Sequence, residues 1–229
     1  MPSILITGAS RGLGLEFVKQ YAELGYRVFA TAREPARAPG LVKLAKDNTQ
    51  ISLLALDVTD EAGVRSLVDA LKGEPLDILL NNAGTMGPKQ QRLGSIDYAG
   101  MVETLITNTV APLRLAEALT ENVAKSQRKL MVAVTSGMGS ISDSSGGSYA
   151  YRASKAALNM NYHNLALDLR SRGITVIVIN PGWVKTDMGG PSATLEPPAS
   201  IAAMRKVFDA VTLADSGNFM NYAGGTLEW

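Results

Sequence analysis

The chain has 229 residues, with 22 basic against 21 acidic side chains and a net charge of +1, so it carries no electrostatic footprint for nucleic acid or an anionic membrane. Zero cysteines and one histidine, His163, exclude disulfides, thiolate catalysis and clustered Cys or His metal sites. The length suits one α/β domain with a sizeable core; no apolar run approaches the ~20 residues of a membrane span, and Ser3 already opens a strand, so no signal peptide and a cytoplasmic location are expected.

In chain order, Ser3 to Thr7 reads as a short apolar strand, Gly8-Ala-Ser-Arg-Gly12-Leu-Gly14 as a turn, and Leu13, Phe17, Tyr21 and Leu24 recur at helical spacing up to a C-cap at Gly25. Glycines in a strand-to-helix turn let the backbone approach a pyrophosphate, and the helix N-terminus attracts its charge. The spacing is Gly-x-x-x-Gly-x-Gly rather than Gly-x-Gly-x-x-Gly. Further strands are expected at 26–31, 51–56, 76–80, 130–135, 174–179 and 218–222, and helices at 12–24, 41–47, 60–72, 95–107, 112–125, 149–171 and 199–213. Repeated alternation of this kind predicts a single-domain, Rossmann-type doubly wound parallel sheet of about seven strands, with helices on both faces.

Three of the later strands end in polar or glycine motifs. Leu76 to Leu80 runs into Asn81-Asn82-Ala83-Gly84, Leu130 to Thr135 into Ser136, and Ile174 to Ile179 into Asn180-Pro181-Gly182. Ligands of open parallel sheets lie beyond the carboxyl ends of the strands, so all three motifs are expected at one crevice. The Ser142 to Ser148 stretch reads either as an active-site loop or as a flexible connector. Tyr151 and Lys155 stand i,i+4 at the head of a long helical pattern and share one helix face. An ammonium near a phenol favours the phenolate, so this pair suits acid-base work on a carbonyl or alcohol.

Taken together, these ordered motifs resemble the short-chain dehydrogenase/reductase family over essentially the whole chain. Within it, Thr135-Ser136-Gly137-Met138-Gly139-Ser140, Tyr-Ala-Tyr-Arg-Ala-Ser-Lys and the ending at Trp229 look most like the C-factor and sniffer-type carbonyl reductases. The resemblance implies a catalytic set of Asn108, Ser136, Tyr151 and Lys155: Ser136 to hydrogen-bond the substrate oxygen, Tyr151 to protonate it, Lys155 to hold the nicotinamide ribose and depress the tyrosine pKa, and Asn108 to hold a relay water. Ser136 lies 15 residues before Tyr151, two more than the common spacing. Ser140 and Met138 are rival alignments, and Tyr149 competes with Tyr151, although only Tyr151 has a lysine four residues on.

For the cofactor, the resemblance assigns Gly8, Ser10, Arg11, Gly12, Leu13 and Gly14 to the phosphate and ribose loop, and Asp57 with Val58 to the adenine. Asp57 alternatively neighbours a helix N-cap. Asn82, Ala83 and Gly84, Tyr151 and Lys155, then Pro181, Gly182, Val184 and Thr186 complete the cofactor set. Ala32-Arg33 leaves the NAD-selecting acid position without a carboxylate, so Arg33 with Arg11 is expected to clamp a 2′-phosphate, against which stands Glu34. NADP(H) is therefore expected over NAD(H). Met138, Trp183 and Met188, with Met86, are candidate apolar lining, and 188–198, with three prolines, a substrate lid.

The expected function is hydride transfer between NADP and a carbonyl or alcohol, with ketone or aldehyde reduction favoured. The alternative is a dinucleotide-binding signalling or redox-sensing protein of C-factor type. No metal, nucleic acid or membrane partner is expected. The family commonly pairs helices between subunits, which implies a homodimer or homotetramer through 95–125 and 149–171, with Leu113, Leu115, Ala116 and Leu119 either as contacts or as part of the subunit's own core.

Overall fold

The strands of the computed structural model, which describes residues 1–229, are β1 (Ser3–Ile6), β2 (Arg27–Ala32), β3 (Ile51–Ala55), β4 (Ile78–Asn81), β5 (Leu130–Val134), β6 (Thr175–Asn180) and β7 (Phe219–Asn221). They form one seven-stranded sheet in the order β3-β2-β1-β4-β5-β6-β7. Every neighbouring pair is parallel. The helices are α1 (Gly12–Glu23), α2 (Pro39–Asp47), α3 (Glu61–Ala70), α4 (Tyr98–Leu105), α5 (Ala111–Ala118), α6 (Thr120–Ala124), α7 (Tyr149–Leu169) and α8 (Pro197–Ala210).

Strand alternation divides the core between the two sheet faces. Ile4 and Ile6 join α1, α2 and α8 through Phe17, Leu41 and Phe208. Leu5, between them, points the other way and joins α3, α5 and α7 through Leu67, Leu115 and Leu158. Both faces are thus covered, as a parallel sheet requires. On α7 the buried positions Tyr151, Lys155, Leu158, Tyr162, Ala166 and Leu169 fall on one helical stripe, which draws two polar side chains inward with the apolar ones.

Chain order reverses between β1 and β4, which opens a crevice at their carboxyl ends. Thr7 seals its floor: its Oγ1 accepts from the backbone N–H groups of Asn82 and Ala83, both at 3.0 Å.

Two expected helices differ in form. The segment 95–107 starts later, at Tyr98, where Asp97 accepts from Gly100 N at 2.9 Å as N-cap. It then passes through a π-helical turn, Ile106–Val110, into α5. The expected helix 112–125 is broken at Leu119 into α5 and α6. A π-turn is decided by tertiary partners, here those of Asn108, and it leaves no periodicity mark in the sequence.

Candidate functional site

The glycine turn fits a pyrophosphate. Gly8 has φ +67° and a Cβ there would lie 2.9 Å from the Ala83 Cα; a Cβ on Gly14 would collide with the Gly8 carbonyl oxygen. Those positions require glycine so that β1, α1 and the β4 end can close together. The first turn of α1 has no side-chain cap and no acidic residue. Its free amides and positive dipole end therefore face the crevice. Asn82 braces the turn by donating to Thr7 O at 2.8 Å and Gly8 O at 3.3 Å.

At the outer rim, Asp57 Oδ1 accepts from Thr59 Oγ1 at 2.7 Å and Thr59 N at 2.9 Å. Those two bonds, with a smaller contribution from the Arg33 charge, hold its carboxyl below the usual range. The N-cap of α3 is Asp60, not Asp57, which leaves the second Asp57 oxygen free. Val58 follows it, half-buried. Arg33 is exposed and makes no ion pair, whereas Glu34 pairs with Arg37 at 2.8 Å. Arg11 pairs with Asp187 at 2.9 Å across the mouth of the crevice, next to Thr186. The partner comes from a segment 176 residues away, which no local pattern discloses.

The segment after β6 forms the facing wall. Asn180 Oδ1 accepts from Gly137 N at 3.1 Å and Gly182 N at 3.2 Å, tying the turn after Ser136 to Pro181-Gly182. Pro181 O accepts from Ser200 Oγ at 2.7 Å. Val184 pairs with Leu195 in an isolated bridge, and Thr186 Oγ1 accepts from Gly189 N at 3.1 Å. A Cβ on Gly12 would meet the Thr186 methyl at 3.5 Å, so this wall stands over the phosphate turn. Residues 188–195 are pinned at several points, including Trp183 Nε1 donating to Gly189 O at 2.8 Å and Lys185 paired with Glu196 at 2.5 Å.

Ser136 lies two residues past the end of β5 and caps a 3-10 turn, Gly137–Gly139; its Oγ accepts from Met138 N at 3.1 Å. The hydroxyl hydrogen is left for another acceptor. Tyr151 is buried, and burial raises its phenol above the ordinary value while the Ser136 hydroxyl beside it acts in the opposite direction. Lys155 is also buried, donates from Nζ to Val134 O at 2.9 Å and lies 5.8 Å from the Tyr151 ring centre. Loss of hydration pushes its pKa down to about 8. Against the expected depression of the phenol, burial raises the tyrosine and lowers the lysine in the free protein, because both groups lose water.

Asn108 is fully buried within the π-turn. Its Oδ1 accepts from Thr85 N at 2.8 Å, and its Nδ2 donates to Thr85 O at 2.8 Å and Ser154 Oγ at 2.9 Å. Three hydrogen bonds to the protein thus fix the Asn108 side chain in the π-turn. Thr85 has no motif of its own and escapes sequence reading, while Ser154 and Asn180 fall inside motifs that were read without assigning them these partners. Of the apolar candidates, Trp183 is 54% and Met188 47% exposed at the mouth, while Met138 and Met86 are half-buried. Leu115, Ala116 and Leu119 are wholly inside the subunit, which removes them as contacts for a second copy. The exposed apolar stripe is instead Tyr98, Val102, Ile106 and Val110.

A doubly wound sheet with a glycine turn at its switch point, a half-buried Ser136 and buried Tyr151 and Lys155 around the same crevice defines a dinucleotide-dependent oxidoreductase. A profile of the short chain dehydrogenase family matches residues 2–196, and the chain belongs to that family as an NAD(P)-dependent oxidoreductase. It is 43% identical to C-signal of Myxococcus xanthus over 156 residues, which are 68% of this chain and 93% of that protein. Among solved structures it is similar to the carbonyl reductase Sniffer of D. melanogaster, with TM-score 0.93 and 37% identity over 100% of both chains. It is also similar to the NADPH-bound carbonyl reductase from chicken fatty liver, with TM-score 0.91 and 35% identity over 100% of this chain and 99% of the other. No helix is long and apolar enough to cross a membrane.

Proposed function

We propose that the protein is an NADPH-dependent reductase of small ketones or aldehydes. The observation that carries this reading is the buried, proton-holding Tyr151 phenol beside the Ser136 hydroxyl, at the strand end that faces the glycine turn. A bound reduced nicotinamide supplies a hydride. Ser136, whose oxygen is occupied by Met138 N–H, turns its hydrogen to the substrate carbonyl oxygen. Tyr151 gives that oxygen its proton; a phenol kept protonated by burial suits the reducing direction. Lys155 spends one N–H on Val134 O and keeps two donors for ribose hydroxyls. Asn108 acts by fixing Thr85, in the loop after β4, and Ser154.

Preference for NADPH is supported by Arg33, which is exposed and unpaired, and by Arg37, which neutralises the rival carboxylate of Glu34. Two similar structures, the chicken enzyme and one from Burkholderia multivorans, carry NADPH and NADP respectively. Asp57, Val58 and the Asn82-Ala83-Gly84 segment border the adenosine half, and Pro181, Gly182, Val184 and Thr186 the nicotinamide half. Trp183, Met188 and Met138 offer an apolar mouth, over which 188–198 forms a pinned wall. A second copy of the chain packs on the stripe of Tyr98, Val102, Ile106 and Val110.

The test is NADPH oxidation against a panel of ketones, aldehydes and quinones, with NADH in parallel. Turnover with NADPH is expected. Tight NADPH binding without turnover of any panel member overturns the reading and favours the second one, a dinucleotide-binding signalling protein, which rests on the likeness to C-signal.

A further inference from the structure

Helix α7, which carries Tyr151, begins without a cap of its own. Ser148 at the N-cap position has φ 47° and ψ 43°, and its hydroxyl caps nothing. A capping serine needs extended backbone to turn its oxygen onto the amides that follow. Two of those amides are nonetheless satisfied from outside the helix. Gln91, from the loop between β4 and α4, accepts from Tyr149 N on its main-chain oxygen at 3.3 Å and from Tyr151 N on its Oε1 at 2.9 Å. Its Nε2 donates to Met86 O at 2.8 Å and Pro88 O at 2.7 Å, which uses both amide hydrogens. Gln91 is itself buried.

The other side of the Tyr151 peptide is tied to the same loop. Ser154 Oγ donates to Tyr151 O at 2.8 Å and accepts from Asn108 Nδ2, and Asn108 holds both the N–H and the C=O of Thr85. The loop thus holds the tyrosine residue directly at its nitrogen, through Gln91, and at its oxygen through the relay of Ser154 and Asn108. The loop starts at the end of β4, where Thr7 locks it to the glycine turn. Displacement of a reacting group by about 1 Å costs on the order of a hundredfold in rate, so such a grip has catalytic weight.

We propose that Gln91 is a positioning residue for this reaction: it replaces the missing helix cap and fixes the Tyr151 phenol against Ser136 and the crevice. The assignment of Tyr151 as the acid rests on the function proposed above; the capping role does not. The probe variant is Gln91→Met, of similar length but without donor or acceptor. It is expected to lower kcat roughly ten- to a hundredfold while leaving the NADPH dissociation constant within about twofold. Amide hydrogen exchange of residues 149–152 is expected to quicken at least about tenfold relative to the far end of α7.

A kcat within about threefold of the unmutated protein, or an equal loss in kcat and NADPH affinity, overturns the proposal. Unchanged exchange at 149–152 overturns it as well, and this readout needs no turnover. If the unmutated protein reduces no carbonyl, the functional reading falls by itself and exchange still decides the role of Gln91.

Discussion

The two ends of the crevice are built from different materials. At the phosphate end the working surface is main chain: glycines with left-handed φ, free helix amides and a threonine hydroxyl that binds two backbone N–H groups. At the reacting end it is buried side chain: Tyr151 and Lys155 on one stripe of α7, Asn108 inside a π-turn, and Gln91 beneath the helix start. The first end tolerates exposed charges such as Arg11 and Asp187, because its attraction for an anion comes from dipoles fixed by the fold. The second end excludes water, and each polar group there has to be held by another. Substitutions at the phosphate end should therefore show in affinity, and those at the reacting end in turnover.

The largest break in that contrast is expected from Tyr151→Phe, which removes the acid and little volume. Turnover should fall by about 10²- to 10⁴-fold, the usual worth of a positioned general acid. The NADPH dissociation constant, measured by fluorescence titration, should stay within about twofold. Residual activity above a tenth of the original would remove Tyr151 from the mechanism.

Gly14→Ala is the counterpart at the other end. Its Cβ meets a backbone carbonyl, that of Gly8, which cannot swing aside like a flexible side chain. We expect NADPH affinity to drop at least about tenfold, together with a lower melting temperature, since displacing backbone in a packed turn costs on the order of 1–3 kcal/mol. Unaltered affinity would show that the pyrophosphate does not lie on this turn.

The phosphate end was legible in the sequence for the same reason that it works. Gly8, Gly12 and Gly14 are demanded by local backbone geometry, and local demands leave local marks. The strands were legible too, because a sheet buried on both faces needs short continuous apolar runs such as Leu130 to Val134. The pairing of Tyr151 with Lys155 was visible as a spacing, but the direction of the tyrosine shift was not, since it depends on how much water packing removes. Gln91 was invisible. Its function is set by partners 60 residues on, and a lone glutamine in a polar loop has no periodicity to betray it. The π-turn that carries Asn108 was lost likewise, and the pattern alone left Leu115 and Leu119 open between a subunit contact and the core, because tertiary contacts decide them.

Lys155 allows the comparison to be sharpened by pH. Its ammonium, with a pKa of about 8, is half lost near that pH in the free protein. The kcat/KM for NADPH should fall above pH 8, approaching tenfold per pH unit if the charge is essential. Stability should move the other way. A lysine whose folded pKa lies below its unfolded value of 10.5 binds fewer protons when folded between about 8 and 10.5, so unfolding free energy rises with pH across that window, by at most about 1.4 kcal/mol per unit. The buried tyrosines, whose folded pKa is raised, oppose this only above about pH 10. Lys155→Met should flatten the rise in chemical denaturation series at pH 7.5 to 9.5. A rise that persists in Lys155→Met would assign it to another group.

The smallest expected effect belongs to Arg33→Ala. Arg33 is exposed, and a charge-assisted contact to a 2′-phosphate at such a site is screened by water and salt, so about tenfold in NADPH affinity is the reasonable scale. NADH affinity should not change, because no phosphate is there to lose. The preference should also shrink in the unmutated protein as salt is raised, and do so less in the variant. Glu34→Gln provides the control: with Arg37 freed from its 2.8 Å partner, a second guanidinium becomes available and NADPH affinity should rise slightly. If Arg33→Ala instead weakens both cofactors equally, the guanidinium supports the rim near Asp57 rather than selecting the phosphate, and the preference for NADPH has to come from elsewhere in the crevice.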